Sequence, residues 1–124
     1  MENERLEVHH TPHGEIMAVN VRGRATLGEN SEYLDRELQR LANDGWTKML
    51  VNLSGVVQMD SSGISALVRQ CTGLSKRGGS LRLVCPKGRV HDALSVTRLL
   101  EAIPTFDNES EALASFHQAA ARKS

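Results

Sequence analysis

The chain has 124 residues, fifteen basic against fifteen acidic, and only four aromatic side chains, Tyr33, Trp46, Phe106 and Phe116. That length holds one domain with a single core, and the balanced charge leaves no field that would favour DNA, RNA or an anionic membrane. With so few aromatic rings no base-stacking surface is expected, and the core must be aliphatic.

Arg5–His10 alternates weakly, with Leu6 and Val8 on one face, and predicts an edge strand. Thr11-Pro12-His13-Gly14 reads as a turn, and Glu15–Val21, carrying Ile16, Met17, Val19 and Val21, as a more buried strand antiparallel to the first. Gly23–Asn30 is expected to be a loop. A helix over Ser31–Asn43 follows, with Leu34, Leu38 and Leu41 as its apolar stripe and Gly45 near its C-cap. Lys48–Leu53 reads as a buried strand ended by Ser54-Gly55. The next helix opens at Asp60-Ser61-Ser62-Gly63, carries Ile64, Leu67, Val68, Cys71 and Leu74 at helical spacing, and stops at Gly78-Gly79. Ser80–Cys85 is a fourth strand, Val90, Ala93 and Leu94 mark a short third helix, and Ile103–Phe106 a brief edge strand. Asn108 and Glu111 have capping-box spacing before a last helix whose buried face holds Leu113 and Phe116. Residues 1–4 and 121–124 are expected to fray.

After the opening hairpin the order is strand–helix–strand–helix–strand–helix. Each crossover is long enough to be right-handed, which makes the central strands parallel and lays the helices against the sheet. Functional groups of such sheets gather beyond the carboxyl ends of the strands. The Gly23–Asn30 and Ser54–Ser62 loops both reach that edge, so Ser61 and Ser62 are expected at the surface where a partner docks. A hydroxyl on the first turn of a helix faces unpaired N–H groups and the positive end of the dipole. It can carry a phosphate, which adds nearly two negative charges. The same Asp-Ser-Ser run also serves as a plain N-cap; one hydroxyl can cap while its neighbour faces solvent.

Other chemistry finds less support. The chain lacks G-x-S-x-G, and none of His9, His10, His13, His91 and His117 is placed by pattern beside Ser61 or Ser62, so no enzymatic activity is expected. His9 and His10 point to opposite faces of a strand, and no carboxylate or cysteine spacing completes a metal site with His13. Gly23–Gly28 has neither a dinucleotide nor a P-loop pattern. Lys76-Arg77 complements its own helix C-terminus, and Trp46 covers the end of the sheet. Cys71 and Cys85 read as small core residues of a reducing compartment. No metal or cofactor is expected. Without a long apolar run, and with no signal-peptide character in Met1–Arg5, a cytoplasmic protein without membrane insertion is expected.

Met59-Asp60-Ser61-Ser62-Gly63-Ile64 after a hydrophobic strand, a helix ending Lys76-Arg77-Gly78-Gly79, the strand Leu81–Cys85 and the run Val90–Leu100 together resemble a STAS domain of the bacterial anti-sigma-factor antagonist type. The resemblance covers about residues 15–116. It implies a single α/β STAS domain across 1–124, with a mixed sheet of four to five strands, parallel at its centre, and about four helices. It also implies a function. The unphosphorylated antagonist binds a serine-kinase anti-sigma factor and releases the sigma factor. Phosphorylation of the first hydroxyl after the Asp, here Ser61, switches binding off, and a PP2C-type phosphatase restores it. By the same resemblance Asp60 and Ser62 flank the acceptor, and Gly63 permits close backbone approach. Such antagonists usually carry Gly-Glu-Leu-Asp or Gly-Glu-Ile-Asp after the second strand, where acidic residues help meet the kinase. Here the stretch is Gly23-Arg24-Ala25-Thr26, so Arg24 and Thr26 stand at the partner-contact positions, one with reversed charge.

A scaffold or transporter-associated STAS subunit without a phosphoswitch is the alternative function, kept open by that altered loop. A third reading, a small-molecule or nucleotide sensor at the same edge of the sheet, lacks phosphate-binding motifs. The hairpin edge at Arg5–His10 is free to pair with a second copy, so a monomer or weak dimer is expected.

Overall fold

The computed structural model describes residues 6–26 and 28–123, and for 118–123 the backbone only. The expected fraying of 1–4 and of Ser124 lies outside the described residues. The elements are β1 (Glu7–His13), β2 (Ile16–Ala25), α1 (Glu29–Asn43), β3 (Lys48–Met59), α2 (Ser61–Lys76), β4 (Ser80–Val84), α3 (Arg89–Val96), α4 (Leu99–Ala102), β5 (Thr105–Phe106) and α5 (Glu109–Lys123). The five strands lie in the order β1-β2-β3-β4-β5. β1 pairs antiparallel with β2, and the remaining pairs are parallel. This is the mixed α/β architecture the spacing predicts, with one helix more than expected. Arg98, at φ 63°, takes a left-handed conformation and breaks the chain between α3 and the short α4.

The strands follow one another across the sheet, so right-handed crossovers that all step the same way leave their helices on one face. The core divides accordingly. Leu34, Leu38 and Leu41 of α1, Leu67 and Leu74 of α2 and Leu94 of α3 pack with Met17, Val19, Met49, Val51, Leu81 and Leu83. On the opposite face, Ala112 and Phe116 of α5 pack with Ile16, Leu50 and Val84. There the Arg82 guanidinium lies 4.3 Å from the centre of the Phe116 ring and donates to Ser115 Oγ at 3.1 Å. Among the described residues no helix is long and apolar enough to cross a membrane.

Several boundaries differ from expectation. β1 runs through Pro12 to His13, and the turn is Gly14-Glu15, not Thr11–Gly14. An edge strand pairs on one side only, so a residue without an N–H is accommodated there. β2 does not stop at Val21, nor β3 at Ser54-Gly55. They continue as a two-stranded overhang to Ala25↔Met59, with register shifts at Asn20/Arg22 and Gly23/Arg24. The shifts absorb Gly55, where a side chain would meet Arg22 Cγ at 2.7 Å. The glycine is thus a packing requirement inside a bulged strand and not a stop signal. What reads as the loop Ser54–Ser62 is mostly strand, the loop Gly23–Asn30 opens with three strand residues, and α1 begins two residues earlier than Ser31, which is buried within its first turn.

The buried stripe of α2 also shifts. Gly63, Ala66, Leu67, Gln70 and Leu74 are buried, Ile64 and Cys71 are half-buried, and Val68 is 41% exposed. Small residues at 63 and 66 let the helix lie close to the sheet, which turns Val68 outward.

Candidate functional site

The overhang of β2 and β3 ends where α2 begins. Asp60 is still tied to β2, its N–H donating to the Ala25 carbonyl at 3.3 Å. Its backbone is extended (φ −106°, ψ −172°), and its Oδ1 accepts the N–H of Ser62 at 2.9 Å and of Gly63 at 3.4 Å. A carboxylate in this position satisfies two otherwise orphaned donors and meets the positive end of the helix dipole. With Asp60 as the cap, neither serine is needed for that purpose. Ser61 is exposed, and among the described residues its hydroxyl holds no hydrogen bond; Ser62 is half-buried.

Gly63 is buried under the end of β2. A Cβ there would run into the Ala25 carbonyl oxygen and lie 3.0 Å from Met59 Cγ and 3.1 Å from Ala25 Cβ. Only glycine lets the first turn of α2 sit this close to the overhang. Arg24 is exposed on β2, and its Nη1 donates to Gln58 Oε1 across the overhang at 2.8 Å. Thr26 is half-buried, and its carbonyl accepts the Ser31 N–H at 3.1 Å. Asn30 Nδ2 donates to the Arg24 carbonyl at 3.0 Å, which fixes the start of α1 against the overhang. Arg24, Thr26, Asp60, Ser61, Ser62 and Gly63 are therefore brought to one edge, with both helix N-termini beside them.

Residues not singled out in the sequence complete this edge. Ser61 and Ser62 share a shallow cleft of ≈300 Å³ with Ser31, Ser65 and Arg69. Arg69 Nε lies 3.5 Å from Asp35 Oδ1 of α1, and the same oxygen accepts Gln70 Nε2 at 3.0 Å. Gln70 also donates to Gln39 Oε1 at 3.3 Å, so polar side chains lock α1 to α2 just behind the cleft. Ser65 and Arg69 follow Ser61 at i+4 and i+8, a spacing readable in the sequence. Ser31 comes from another helix, and no local signal points to it.

The remaining chemistry-bearing side chains stand apart. His9 and His13 lie 3.7 and 3.6 Å from Glu7 and Glu109. Both cysteines are free thiols; burial raises Cys71 above its ordinary value and pushes Cys85 up to about 11. Neither is a thiolate at neutral pH. Among the described residues no three His, Cys, Asp or Glu side chains gather as metal ligands would.

The sequence matches the STAS domain family over residues 8–112. A candidate anti-sigma factor antagonist of Thermotoga neapolitana is 38% identical over 71 residues, which are 57% of this chain and 63% of the relative. The match thus spans less than two thirds of that relative's length. An anti-sigma factor antagonist from Mycobacterium paratuberculosis superposes with a TM-score of 0.82 at 17% identity, covering 92% of this chain and 96% of the other. The phosphorylated form of SpoIIAA, a Bacillus cell fate determinant, superposes at 0.68 and 17% identity over 89% and 99% of the two chains. At these identities the superpositions speak for the fold alone. With the sequence match running from β1 into α5, and the backbone following a solved relative over 92% of its length, the chain belongs to the STAS domain family.

Proposed function

We propose that this protein is an anti-sigma factor antagonist, a binding protein and not an enzyme. Its unphosphorylated form docks a serine-kinase anti-sigma factor with the Ser61 edge and so frees the sigma factor. Phosphorylation of Ser61 is the off state, and a PP2C-type phosphatase reverses it. The observation that carries this reading is the division of labour at the α2 N-terminus: Asp60 caps the helix while the Ser61 hydroxyl stays exposed and unengaged among the described residues. A kinase can reach such a hydroxyl without unfolding the domain. The added phosphate places about two negative charges beside Asp60 in the docking surface, where repulsion and desolvation oppose the complex.

The test is to incubate the purified protein with its cognate kinase and ATP, locate the phosphate by mass spectrometry and measure affinity by calorimetry. Phosphate is expected on Ser61 and absent from Ser61→Ala. Ser61→Asp is expected to bind at least about tenfold more weakly, since like-charge contact in an interface costs several kcal/mol. No phosphate on Ser61, or full affinity in Ser61→Asp, overturns the reading.

A further inference from the structure

β3 outruns its neighbour on one side. Its pairing with β4 stops at Asn52↔Val84, whereas its pairing with β2 continues to Ala25↔Met59. Residues 53–59 therefore have a strand on the β2 side only. Between this overhang and the β4–α3 connection lies a groove of ≈300 Å³. Val56 and Val90 are its buried floor, Val57 is 57% exposed on its wall, and Pro86, Lys87 and Arg89 form an exposed rim. Val57 is the residue skipped in the register between Val56 and Gln58. The bulge turns its side chain to solvent and disrupts the ladder there, which suits side-chain docking better than addition of another strand.

The charge of the groove is one-sided. No carboxylate lines it, and neither Lys87 nor Arg89 forms an ion pair among the described residues. Arg22, lying over Gly55 on the same overhang, is a further exposed cation without an ion pair among the described residues. The whole chain is neutral, so this local excess is balanced elsewhere: α1 carries Glu29, Glu32, Asp35 and Glu37 against Arg36 and Arg40, and the acid of α3 nearest in sequence, Asp92, does not line the groove. An exposed apolar wall beside unpaired cations is complementary to a peptide segment with the opposite character.

We propose that this groove seats an acidic segment of the protein partner, its carboxylates against Lys87 and Arg89 and an aliphatic side chain against Val57. The proposal rests on the reading of the Ser61 edge as a docking surface, and it assigns the partner's charge. Exposed charges of this kind act chiefly on association rate and salt dependence.

Two arms separate this proposal from the function it builds on. In the first, the ¹⁵N-labelled full chain is titrated with the peptide acetyl-Asp-Glu-Val-Leu-Glu-Asp-amide and with a counterpart bearing lysine at every acidic position. The acidic peptide is expected to shift the amides of Val57 and residues 87–90, the basic one is not, and the shifts are lost in K87E/R89E and in 0.5 M NaCl as screening predicts. Absence of shifts, equal shifts from both peptides, or tighter binding of a duplex oligonucleotide overturns the proposal. In the second arm, the serine-kinase partner is measured against wild type and K87E/R89E. A loss of tenfold or more with a flatter salt dependence supports the groove, and unchanged binding overturns it while leaving the Ser61 reading intact. A partner that ignores wild type sinks the function, and the peptide arm then decides the groove alone.

Discussion

Asp60 and Gly63 make the geometry that leaves Ser61 exposed, and their substitutions separate capping from packing. Asp60→Ala removes the acceptor of two backbone N–H groups and is expected to cost about 1 kcal/mol in urea unfolding, the usual value for a lost N-cap. Gly63→Ala is expected to cost more, about 2–3 kcal/mol, because the methyl meets a backbone carbonyl that cannot yield as a flexible side chain would. A Gly63→Ala protein as stable as wild type would show that α2 sits farther from β2 than described. The Asp-Ser-Ser run was legible as a cap beside a hydroxyl facing solvent, since both depend only on position in the helix. Which of the three residues caps was not legible, because all three are good N-cap types. That Gly63 permits a close backbone approach was legible, but what it approaches was not, because the Ala25 carbonyl lies 38 positions upstream. Cys85 carries a pH prediction. Its folded pKa of about 11 stands above the ordinary 9.0 through burial, so the folded state holds its proton after the unfolded chain has lost it. Stability from this group is complete below pH 9 and is lost between there and about pH 11; Cys85→Ser or Cys85→Ala should remove that part of the alkaline loss in a pH series of urea midpoints.

Among the elements, α2 best shows where periodicity succeeds and fails. Hydropathy alone picks Ile64, Leu67, Val68, Cys71 and Leu74, and the helix and its amphipathic character follow. The buried face is instead rotated towards Gly63, Ala66 and Gln70, because small residues permit close approach and Gln70 finds partners in Asp35 and Gln39. A polar residue satisfied by a neighbouring helix has no signature in its own segment. Gln70→Leu is therefore expected to destabilise by about 1–2 kcal/mol despite its greater hydropathy, since it strips a partner from Asp35, whereas Val68→Ser on the exposed side should change stability by less than about 0.5 kcal/mol. Thermal or urea unfolding of the pair settles the rotation, and the reverse ranking would restore the stripe read from hydropathy. The overhang was missed for a related reason. Ser54-Gly55 and Gly23 are turn-formers in isolation, but β2 and β3 stabilise each other through a bulged ladder that neither segment reveals alone. The strand–helix alternation fixed the parallel pairing and the edge on which Ser61 lies, because long crossovers admit few alternatives.

Taken as a whole molecule, the domain keeps the Ser61 hydroxyl away from its core. The apolar clusters lie between the sheet and its two helix layers, while Ser61 stands beyond the carboxyl end of β3, exposed at the first position of α2. A phosphate there experiences two opposing local terms. The helix N-terminus attracts it by about 0.3–1 kcal/mol, and the Asp60 carboxylate repels it by an amount of the same order for charges near solvent. The sum is expected to stay within about 1 kcal/mol, which for a domain of this size moves the melting temperature by no more than about 4 °C. The same two charges pressed against a partner lose their water and meet whatever acids that partner carries, so the cost appears in binding. The expected signature is a dissociation constant raised at least tenfold alongside an almost unchanged melting curve. Calorimetric melting of the protein with phosphoserine installed at position 61, run beside the binding measurement, tests both at once. A fall in melting temperature of more than about 8 °C would mean that the modification unseats α2 from the overhang, and any loss of partner would then follow from lost structure instead of from charge at the surface.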